Sequence, residues 1–172
     1  TWRAMNRAHA LQKAQSPSNI PRIGFLTAVP LSVMSARTEA FRQGLRELGY
    51  GEGKTILIEW RSAEGMPDRL PSLVAELVRL KVDVIVAVGT PATRAAKNAT
   101  ATIPIVFTRI ADPVVLGLVA SLAQPSGNLT GMSLIALDLA AKWLELLTEA
   151  MPGVRRVGVF WDPTFPPAVL QL

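Results

Sequence analysis

Short apolar runs alternate with stretches of helical period along most of the chain, and this alternation limits the folds that it can adopt. Runs rich in β-branched residues predict strands at residues 23–27, 55–60, 82–88, 103–108, 129–134 and 157–161. The intervening stretches predict helices at residues 37–48, 68–80, 91–99, 114–122 and 138–150. Two strand runs, 82–88 and 103–108, are apolar almost without interruption, which is typical of parallel strands covered by helices on both faces. This order predicts an α/β fold built on a Rossmann-like, doubly wound parallel sheet.

Three of the predicted helices carry an apolar face with α-helical spacing. The faces consist of Phe41, Leu45 and Leu48; of Leu70, Leu73, Val74 and Leu77; and of Leu139, Trp143, Leu146 and Leu147. Each of these helices is therefore expected to cover a sheet. Trp60, Trp143 and Trp161 follow the same apolar patterns and are predicted to be packing residues rather than a stacking platform.

The net charge of +5 does not indicate a nucleic-acid partner, because most of it is confined to the start of the chain. Arg3, Arg7, Lys13 and Arg22 lie in the first 22 residues with no acidic residue among them, and the remainder carries one net positive charge. A phosphate backbone needs a basic surface, so no nucleic acid is expected as a partner. Residues 1–21 are predicted to form a flexible leader.

The chain has no cysteine, and its single histidine is His9 in the leader. Thiolate chemistry, disulfides and cysteine-based metal sites are therefore excluded. Catalytic triads and histidine-rich metal sites would need a residue from outside the predicted fold. The sequence predicts no catalytic residue, no metal site and no cofactor.

The best candidates for a binding site are the loops that follow the predicted strands, because ligands of open α/β sheets bind beyond the carboxyl ends of the strands. Three such loops span residues 27–35, 88–93 and 109–114. The predicted ligand-binding residues within them are Thr27, Ala28, Gly89, Thr90, Pro91, Ala92, Thr93, Arg109, Ala111 and Asp112.

The second of these loops has the residues of a helix start. Thr90 is placed to cap the following helix, and Pro91 to occupy its first turn. The N–H groups of Ala92 and Thr93 would then be free to meet an anion, with the hydroxyls of Thr90 and Thr93 as further donors. The spacing fits a cap alone as well as a cap that also contacts a ligand.

Two charged residues in the third loop also have alternative roles. Asp112 either caps the next helix or faces the crevice as a carboxylate for a ligand amine or hydroxyl. Arg109 either pairs with a ligand carboxylate or is a solvated arginine at the end of a strand. Sequence spacing does not separate these alternatives.

The glycine-rich run at residues 49–55 has the composition of a phosphate-binding loop but not its spacing. Three residues instead of four separate Gly49 from Gly53-Lys54-Thr55, and the run follows a predicted helix and opens a strand. A phosphate-binding loop follows a strand and opens a helix, because the helix N-terminus meets the phosphate. The run is therefore predicted to be a structural turn.

Several short motifs occur in one order along the chain. They are GYGEGKTILIEWR at 49–61, DRLP at 68–71, LVRLKVDVIV at 77–86, GTPAT at 89–93, IPIVF at 103–107, Asp112-Pro113 and GNLTG at 127–131. Together they resemble the ABC-transporter substrate-binding proteins of the tryptophan/tyrosine-binding-protein-like family. The resemblance extends from about Ile23 to Asp162 and implies a type I periplasmic-binding-protein fold, in which two Rossmann-like lobes close on a small ligand.

The resemblance also implies a domain organisation. Residues 22–134 would form the first lobe, residues 129–137 the first hinge crossing, and residues 135–172 the hinge exit and an incomplete start of the second lobe. Because such proteins are about twice as long, the chain is expected to be truncated, and this form is expected to self-associate through exposed apolar surface.

The function implied by the resemblance is that of the solute-binding component of an ABC importer. It would bind a small amino-acid-like or carboxylate ligand and deliver it to an ABC permease in the inner membrane, from a periplasmic or cell-surface location. The sequence shows no export signal of its own. The alternative is an α/β enzyme or sensor that acts on a small anionic or nucleotide-like metabolite. The lack of a phosphate-binding loop, a cysteine and a histidine in the predicted fold favours the receptor.

Overall fold

The structure is a computed structural model that describes residues 20–110, 112–121, 127–134 and 140–158. Most of the predicted leader, Ala111 and residues 159–161 of the predicted last strand lie outside these ranges. No helix within the described ranges is both long enough and apolar enough to cross a membrane.

Within these ranges, five strands form a single parallel sheet in the order β2-β1-β3-β4-β5. They are β1 Arg22–Thr27, β2 Leu57–Ser62, β3 Val84–Val88, β4 Ile105–Ile110 and β5 Leu129–Ser133. β2 and β4 each lie two residues further along the chain than predicted. β2 starts later because the Thr55 N–H donates a hydrogen bond to the Gly51 carbonyl within the glycine-rich turn. β4 starts later because Pro104 has no N–H to donate to a neighbouring strand.

Four α-helices are described: α1 Ser35–Glu47, α2 Leu70–Arg79, α3 Thr90–Ala99 and α4 Ala140–Ala150. Short 3-10 helices at Leu31–Met34 and Pro67–Arg69 lead into α1 and α2. These helices agree with the predicted alternation of strands and helices.

The helix predicted at residues 114–122 is wrong. Residues 113–117 form turns, in which the Gly117 N–H bonds the Val114 carbonyl and the Leu118 N–H bonds the Pro113 carbonyl. Gly117 has a φ of 65°, in the left-handed region where a right-handed helix cannot continue. The apolar spacing of this segment suggested a helix, but its glycine ends the turn.

Of the strand predicted at residues 157–161, only Val157 and Gly158 lie within the described ranges, and neither is in a strand.

Helices cover the sheet on both faces, as a doubly wound fold requires. One face packs against α2 and α3, and its core contains Leu26, Ile85, Phe107, Leu77 and Ala96. Gly24 of β1 lies directly under Leu77, with room for no side chain, because a Cβ there would stand 2.9 Å from Leu77 Cδ1. This close approach lets α2 pack closely against β1.

The opposite face packs against α1 through an aromatic cluster. The Phe25 ring lies 5.5 Å from the Phe41 ring and 4.7 Å from the Trp60 ring, centroid to centroid. Trp60 is thus a packing residue, as predicted.

The prediction that Trp143 packs is wrong in this structure, because 58% of its surface is exposed. Leu144 and Leu146 of the same helix are also exposed. Trp161 lies outside the described residues. On the sheet, Val106 and Met132 are exposed apolar residues of the two neighbouring strands β4 and β5. The described chain therefore presents apolar surface both on α4 and at one side of the sheet.

The glycine-rich run is a turn between α1 and β2, as predicted, and Glu52 fastens it to both elements. The Glu52 carboxylate accepts hydrogen bonds from Arg42 Nε at 2.7 Å and from Trp60 Nε1 at 3.0 Å. The Arg42 guanidinium also lies over the Trp60 ring, 4.4 Å from its centroid. The run has a structural role at the amino edge of the sheet, opposite the strand-end loops.

We expect Gly131→Ala to destabilise the fold and Gly44→Ala to stabilise it. A Cβ at Gly131 would collide with the Phe107 carbonyl oxygen and stand 2.7 Å from a Phe107 ring carbon, so β5 would have to move. A Cβ at Gly44, inside α1, meets nothing within 4 Å. Forcing atoms into a packed site costs roughly 1–3 kcal/mol, whereas alanine gains about 0.5–1 kcal/mol over glycine within a helix.

Urea unfolding followed by circular dichroism measures both changes. Equal unfolding midpoints for Gly131→Ala and the parent would show that β5 does not pair with β4 as described.

Glu52 makes the stability depend on pH. Burial alone would raise the pKa of Glu52, but the hydrogen bonds from Trp60 and Arg42 and the charge of Arg42 together lower it below its usual value. A carboxyl with a lowered folded-state pKa stabilises the fold above its unfolded-state pKa, and this contribution is lost as the pH falls through the folded-state pKa. Glu52→Gln should therefore lower the free energy of unfolding at pH 7, and its difference from the parent should shrink below about pH 4.

The measurement is a series of urea unfolding curves between pH 3 and pH 7. Trp60→Phe keeps an aromatic ring at this position but removes the indole N–H donor, so it should weaken the same pH dependence. If the free energy of unfolding of Glu52→Gln differs from that of the parent by a constant amount over this range, the lowered pKa of Glu52 is contradicted.

Candidate functional site

The strand order creates a crevice between the carboxyl ends of β1 and β3. The chain leaves β1 towards β2 on one side, crosses back, and enters β3 on the other side of β1. The loops after these two strands therefore diverge, and ligands of open α/β sheets bind at such a point. Of the predicted ligand-binding residues, Thr27 and Ala28 lie at the end of β1, and Gly89 and Thr90 lie just after the end of β3.

The loop after β1 is held by hydrogen bonds to the loop after β2. The Ala63 N–H bonds the Thr27 carbonyl, the Gly65 N–H bonds the Ala28 carbonyl at 2.8 Å, and the Ser62 hydroxyl bonds the Val29 carbonyl at 3.0 Å. These three hydrogen bonds join the two loops and hold this side of the crevice in place without a ligand.

The Thr27 side chain is part of this scaffold. It is fully buried, its hydroxyl donates to the Met34 sulfur at 3.3 Å, and its Oγ1 accepts the Val29 N–H at 3.1 Å. A hydroxyl has one proton to donate, so Thr27 in this state offers no donor to a ligand. Ala28 is half-buried and packs partly against the core under α2.

The helix start at residues 89–93 differs in three details from the prediction. α3 begins at Thr90, so the residue at the cap position is Gly89, with a φ of 85°, and no side chain caps the helix. The Thr93 N–H donates to the Gly89 carbonyl at 3.1 Å, and the Thr93 hydroxyl donates to the same oxygen at 3.0 Å. The predictions of a Thr90 cap, a free Thr93 N–H and a free Thr93 hydroxyl are therefore wrong.

The physical reason is that the helix begins one residue earlier than predicted, with Gly89 at the cap position, and the carbonyl of a cap residue accepts the first hydrogen bond within the helix. That carbonyl then accepts the donors that a threonine cap would otherwise have served. Pro91 lies in the first turn, as predicted, and no hydrogen bond is found for the Ala92 N–H within the described chain. Thr90 is 4% exposed, and its hydroxyl has no hydrogen-bond partner among the described residues.

Asp112 caps a turn rather than a helix. Its Oδ1 accepts the N–H groups of Val114 at 2.8 Å and Val115 at 3.0 Å. Of the two alternatives for Asp112, the structure supports the backbone cap, although the element that it caps is a turn. Ala111 lies outside the described residues.

β4 contains a β-bulge at Arg109, whose φ of 60° lies in the left-handed region. Thr108 pairs with Met132 and Ile110 pairs with Ser133, so two residues of β4 correspond to one step of β5. A left-handed conformation costs a non-glycine residue roughly 1–2 kcal/mol. The strand therefore holds Arg109 in a conformation that the residue itself disfavours.

The bulge changes which face the end of β4 presents. With strict alternation, Arg109 would lie on the same face as Ile105 and Phe107, in the core under α2 and α3, and Ile110 on the other. With the bulge, Ile110 is buried in that core and Arg109 is exposed at the carboxyl edge. The Arg109 guanidinium has no carboxylate within ion-pair distance among the described residues.

The sequence reasoning missed Glu64 in the loop after β2. Glu64 and Gly65 both have positive φ, at 52° and 81°, and the Met66 N–H closes their turn on the Ala63 carbonyl at 2.9 Å. Glu64 is exposed at the carboxyl edge and makes no ion pair with another described residue. The available signal was the Glu64-Gly65 pair, which is separated by one residue from the end of β2, since such turns favour glycine.

Within the described part of the chain, no group of three or more histidine, cysteine, aspartate or glutamate side chains is arranged to hold a metal ion. The polar groups at the crevice are hydroxyls, backbone amides and isolated charges. Such groups recognise a ligand by hydrogen bonds and charge.

Comparison with known proteins relates this arrangement to transport receptors. Residues 22–172 match the family model described as ABC transporter substrate binding protein. A tyrosine-binding protein of Clostridioides difficile is 35% identical over 141 residues, which cover 81% of this chain and 40% of that protein.

Solved structures agree with the sequence comparison. A conserved domain protein from Vibrio cholerae is 33% identical with a TM-score of 0.78, and the match covers 88% of this chain and 51% of that one. An ABC domain from Streptococcus pneumoniae in complex with L-Trp is 26% identical with a TM-score of 0.76, over 89% of this chain and 51% of the other. The chain thus spans about half the length of these relatives. Since the family model matches nearly all of the chain from β1 onward, the chain belongs to the ABC transporter substrate-binding protein family.

Proposed function

We propose that this chain is part of the solute-binding component of an ABC importer and that it binds a small amino-acid-like ligand without altering it. The observation that carries the proposal is the crevice between the ends of β1 and β3, in a chain whose relatives include a tyrosine-binding protein and a domain in complex with L-Trp. Polar groups at the same carboxyl edge of the sheet are suited to recognition: the Ala92 N–H, the Thr90 hydroxyl, Glu64 and Arg109.

The proposed partners follow from the family. The ligand would be delivered to an ABC permease in the inner membrane, and the receptor would work in the periplasm or at the cell surface. Closure of two lobes on the ligand is the conformational step that would report its presence to the permease.

The proposed domain organisation assigns residues 22–134 to the first lobe and residues 135–172 to the hinge exit and the start of a second lobe. Two observations support it. The five-stranded sheet ends with β5 at Ser133, and the apolar side chains of the following helix α4 are exposed instead of covering that sheet. A helix of this kind needs another apolar surface, which a second lobe would provide.

We expect the complete gene product to bind L-tyrosine or L-tryptophan and to release it unchanged. Calorimetry measures binding, and mass spectrometry of the released ligand measures its chemical integrity. Small-angle scattering should show a smaller radius of gyration with ligand than without it, because the lobes close. A chemically altered ligand would favour the enzyme alternative, and unchanged dimensions at saturation would contradict closure.

We also expect the 172-residue chain to self-associate through α4. Exposed apolar side chains on one helix face favour association, because burying each large one is worth about 1.5–3 kcal/mol. Sedimentation velocity should show concentration-dependent species in the parent, and Trp143→Lys combined with Leu146→Lys should shift the chain towards monomer.

The matched control is Leu48→Lys, at an exposed leucine just past the end of α1. It should leave the association unchanged. A parent that remains monomeric at high concentration would contradict the proposal.

A further inference from the structure

A cavity of about 240 Å³ lies between α1 and the glycine-rich turn that leads into β2, at the amino edge of the sheet and away from the crevice. Three apolar or aromatic side chains and three cations line it: Leu45, Tyr50 and Ile58, and Arg42, Arg46 and Lys54. We propose that this cavity is a second binding site, for a small organic carboxylate with an apolar body. The inference goes beyond the proposed function and does not rest on it.

The two arginines of the cavity are held in place by carboxylates but keep donors for another acceptor. Arg42 and Arg46 are one turn apart on α1 and therefore lie on the same face of that helix. Glu39 accepts a hydrogen bond from Arg46 Nη2 at 2.8 Å, and its other oxygen lies 3.9 Å from Arg42 Nη1. Glu52 accepts a hydrogen bond from Arg42 Nε at 2.7 Å. A guanidinium has five N–H donors, and these hydrogen bonds use one of the five in each arginine.

The charges at the cavity favour an anion. Among the described residues that line it, Glu52 carries the only carboxylate, and its oxygens already accept Arg42 Nε and Trp60 Nε1. Lys54 makes no side-chain hydrogen bond or ion pair within the described chain. Together with Glu39, the described residues at this site carry three positive charges and two negative ones. A single carboxylate would balance the remaining positive charge.

The volume and the apolar lining narrow the class of anion. Leu45 and Ile58 are half-buried, and Tyr50 is 37% exposed. A volume of 240 Å³ is the share of about eight water molecules, so a compact inorganic anion would leave the apolar side chains uncovered. An apolar body placed over these side chains buries apolar surface, while a carboxylate fits the paired donors of a guanidinium. An aromatic acid of the size of benzoate has both parts.

The walls of the cavity are held by hydrogen bonds without a ligand. The Tyr50 N–H donates to the Leu45 carbonyl at 2.8 Å, which fixes the start of the glycine-rich turn against α1. Within the turn, the Lys54 N–H donates to the Gly51 carbonyl at 3.0 Å, and the Gly51 N–H donates to Thr55 Oγ1 at 2.8 Å. Sites for small molecules are usually formed in advance in this way.

The test uses thermal unfolding of the 172-residue chain with benzoate, benzamide or acetate at constant ionic strength. Benzamide keeps the ring without the charge, and acetate keeps the charge without the ring. Benzoate should raise the unfolding midpoint in a saturable manner, because a ligand that binds only the folded state stabilises it by mass action. Benzamide and acetate should raise the midpoint much less at the same concentration. The dependence of the midpoint on benzoate concentration gives the affinity.

Two variants and a matched control locate the site. Lys54→Gln and Arg46→Gln should each weaken benzoate binding roughly 2- to 5-fold, as expected for exposed charge pairs, and together they should weaken it further. Lys54→Gln removes no contact within the described chain, so its folding should be unaffected. The control is Arg79→Gln, at an exposed arginine in the last turn of α2 that does not line the cavity. It removes the same charge and should leave the affinity unchanged.

Three outcomes would overturn the proposal. The first is a parent whose unfolding midpoint shows no saturable response to benzoate. The second is an equal response to benzoate and to acetate or benzamide, because the site requires both the charge and the apolar body. The third is a benzoate affinity of the double variant Lys54→Gln with Arg46→Gln that equals the affinity of Arg79→Gln, because the cations of this cavity would then not contact the ligand.

Discussion

The parallel pairing of β1 between β2 and β3 is the constraint on which the other features depend. Parallel strands need long crossovers, so helices must cover both faces, and all strands present their carboxyl ends at one edge. Because the chain leaves β1 in one direction and returns on its other side, the loops there diverge and leave a crevice. The polar groups described at this edge therefore come from loops that are far apart in sequence.

The carboxyl edge of the sheet differs between its β1–β2 side and its β4 side. On the β1–β2 side, backbone hydrogen bonds join the two loops, and Thr27 is buried among them. On the β4 side, the bulge holds Arg109 in a left-handed conformation. Groups that are fixed in advance favour binding, because each side chain ordered on binding costs roughly 0.5–1.5 kcal/mol.

The sheet with its three helices and the last described helix, α4, differ in how their apolar side chains are packed. The sheet with α1, α2 and α3 has a core on both faces, with Leu77 packed on Gly24 on one face and the rings of Phe25 and Trp60 on the other. The helix α4 exposes its tryptophan and leucines. The sheet with its three helices is a packed unit, whereas the apolar side chains of α4 are uncovered within the described chain.

The sequence alone determined the order of the elements and the fold class, because hydrophobic period and apolar strand runs depend on local spacing. It also placed the candidate site at the loops after β1, β3 and β4, because that location follows from the topology of any such sheet. Only the tertiary structure decided how individual groups are used. The Gly89 carbonyl accepts both Thr93 donors, Gly117 ends a segment with helical spacing, and Arg109 leaves the core because a bulge shifts the alternation of β4. These outcomes depend on backbone angles and on partners from other strands, which the spacing of residues along one segment does not encode.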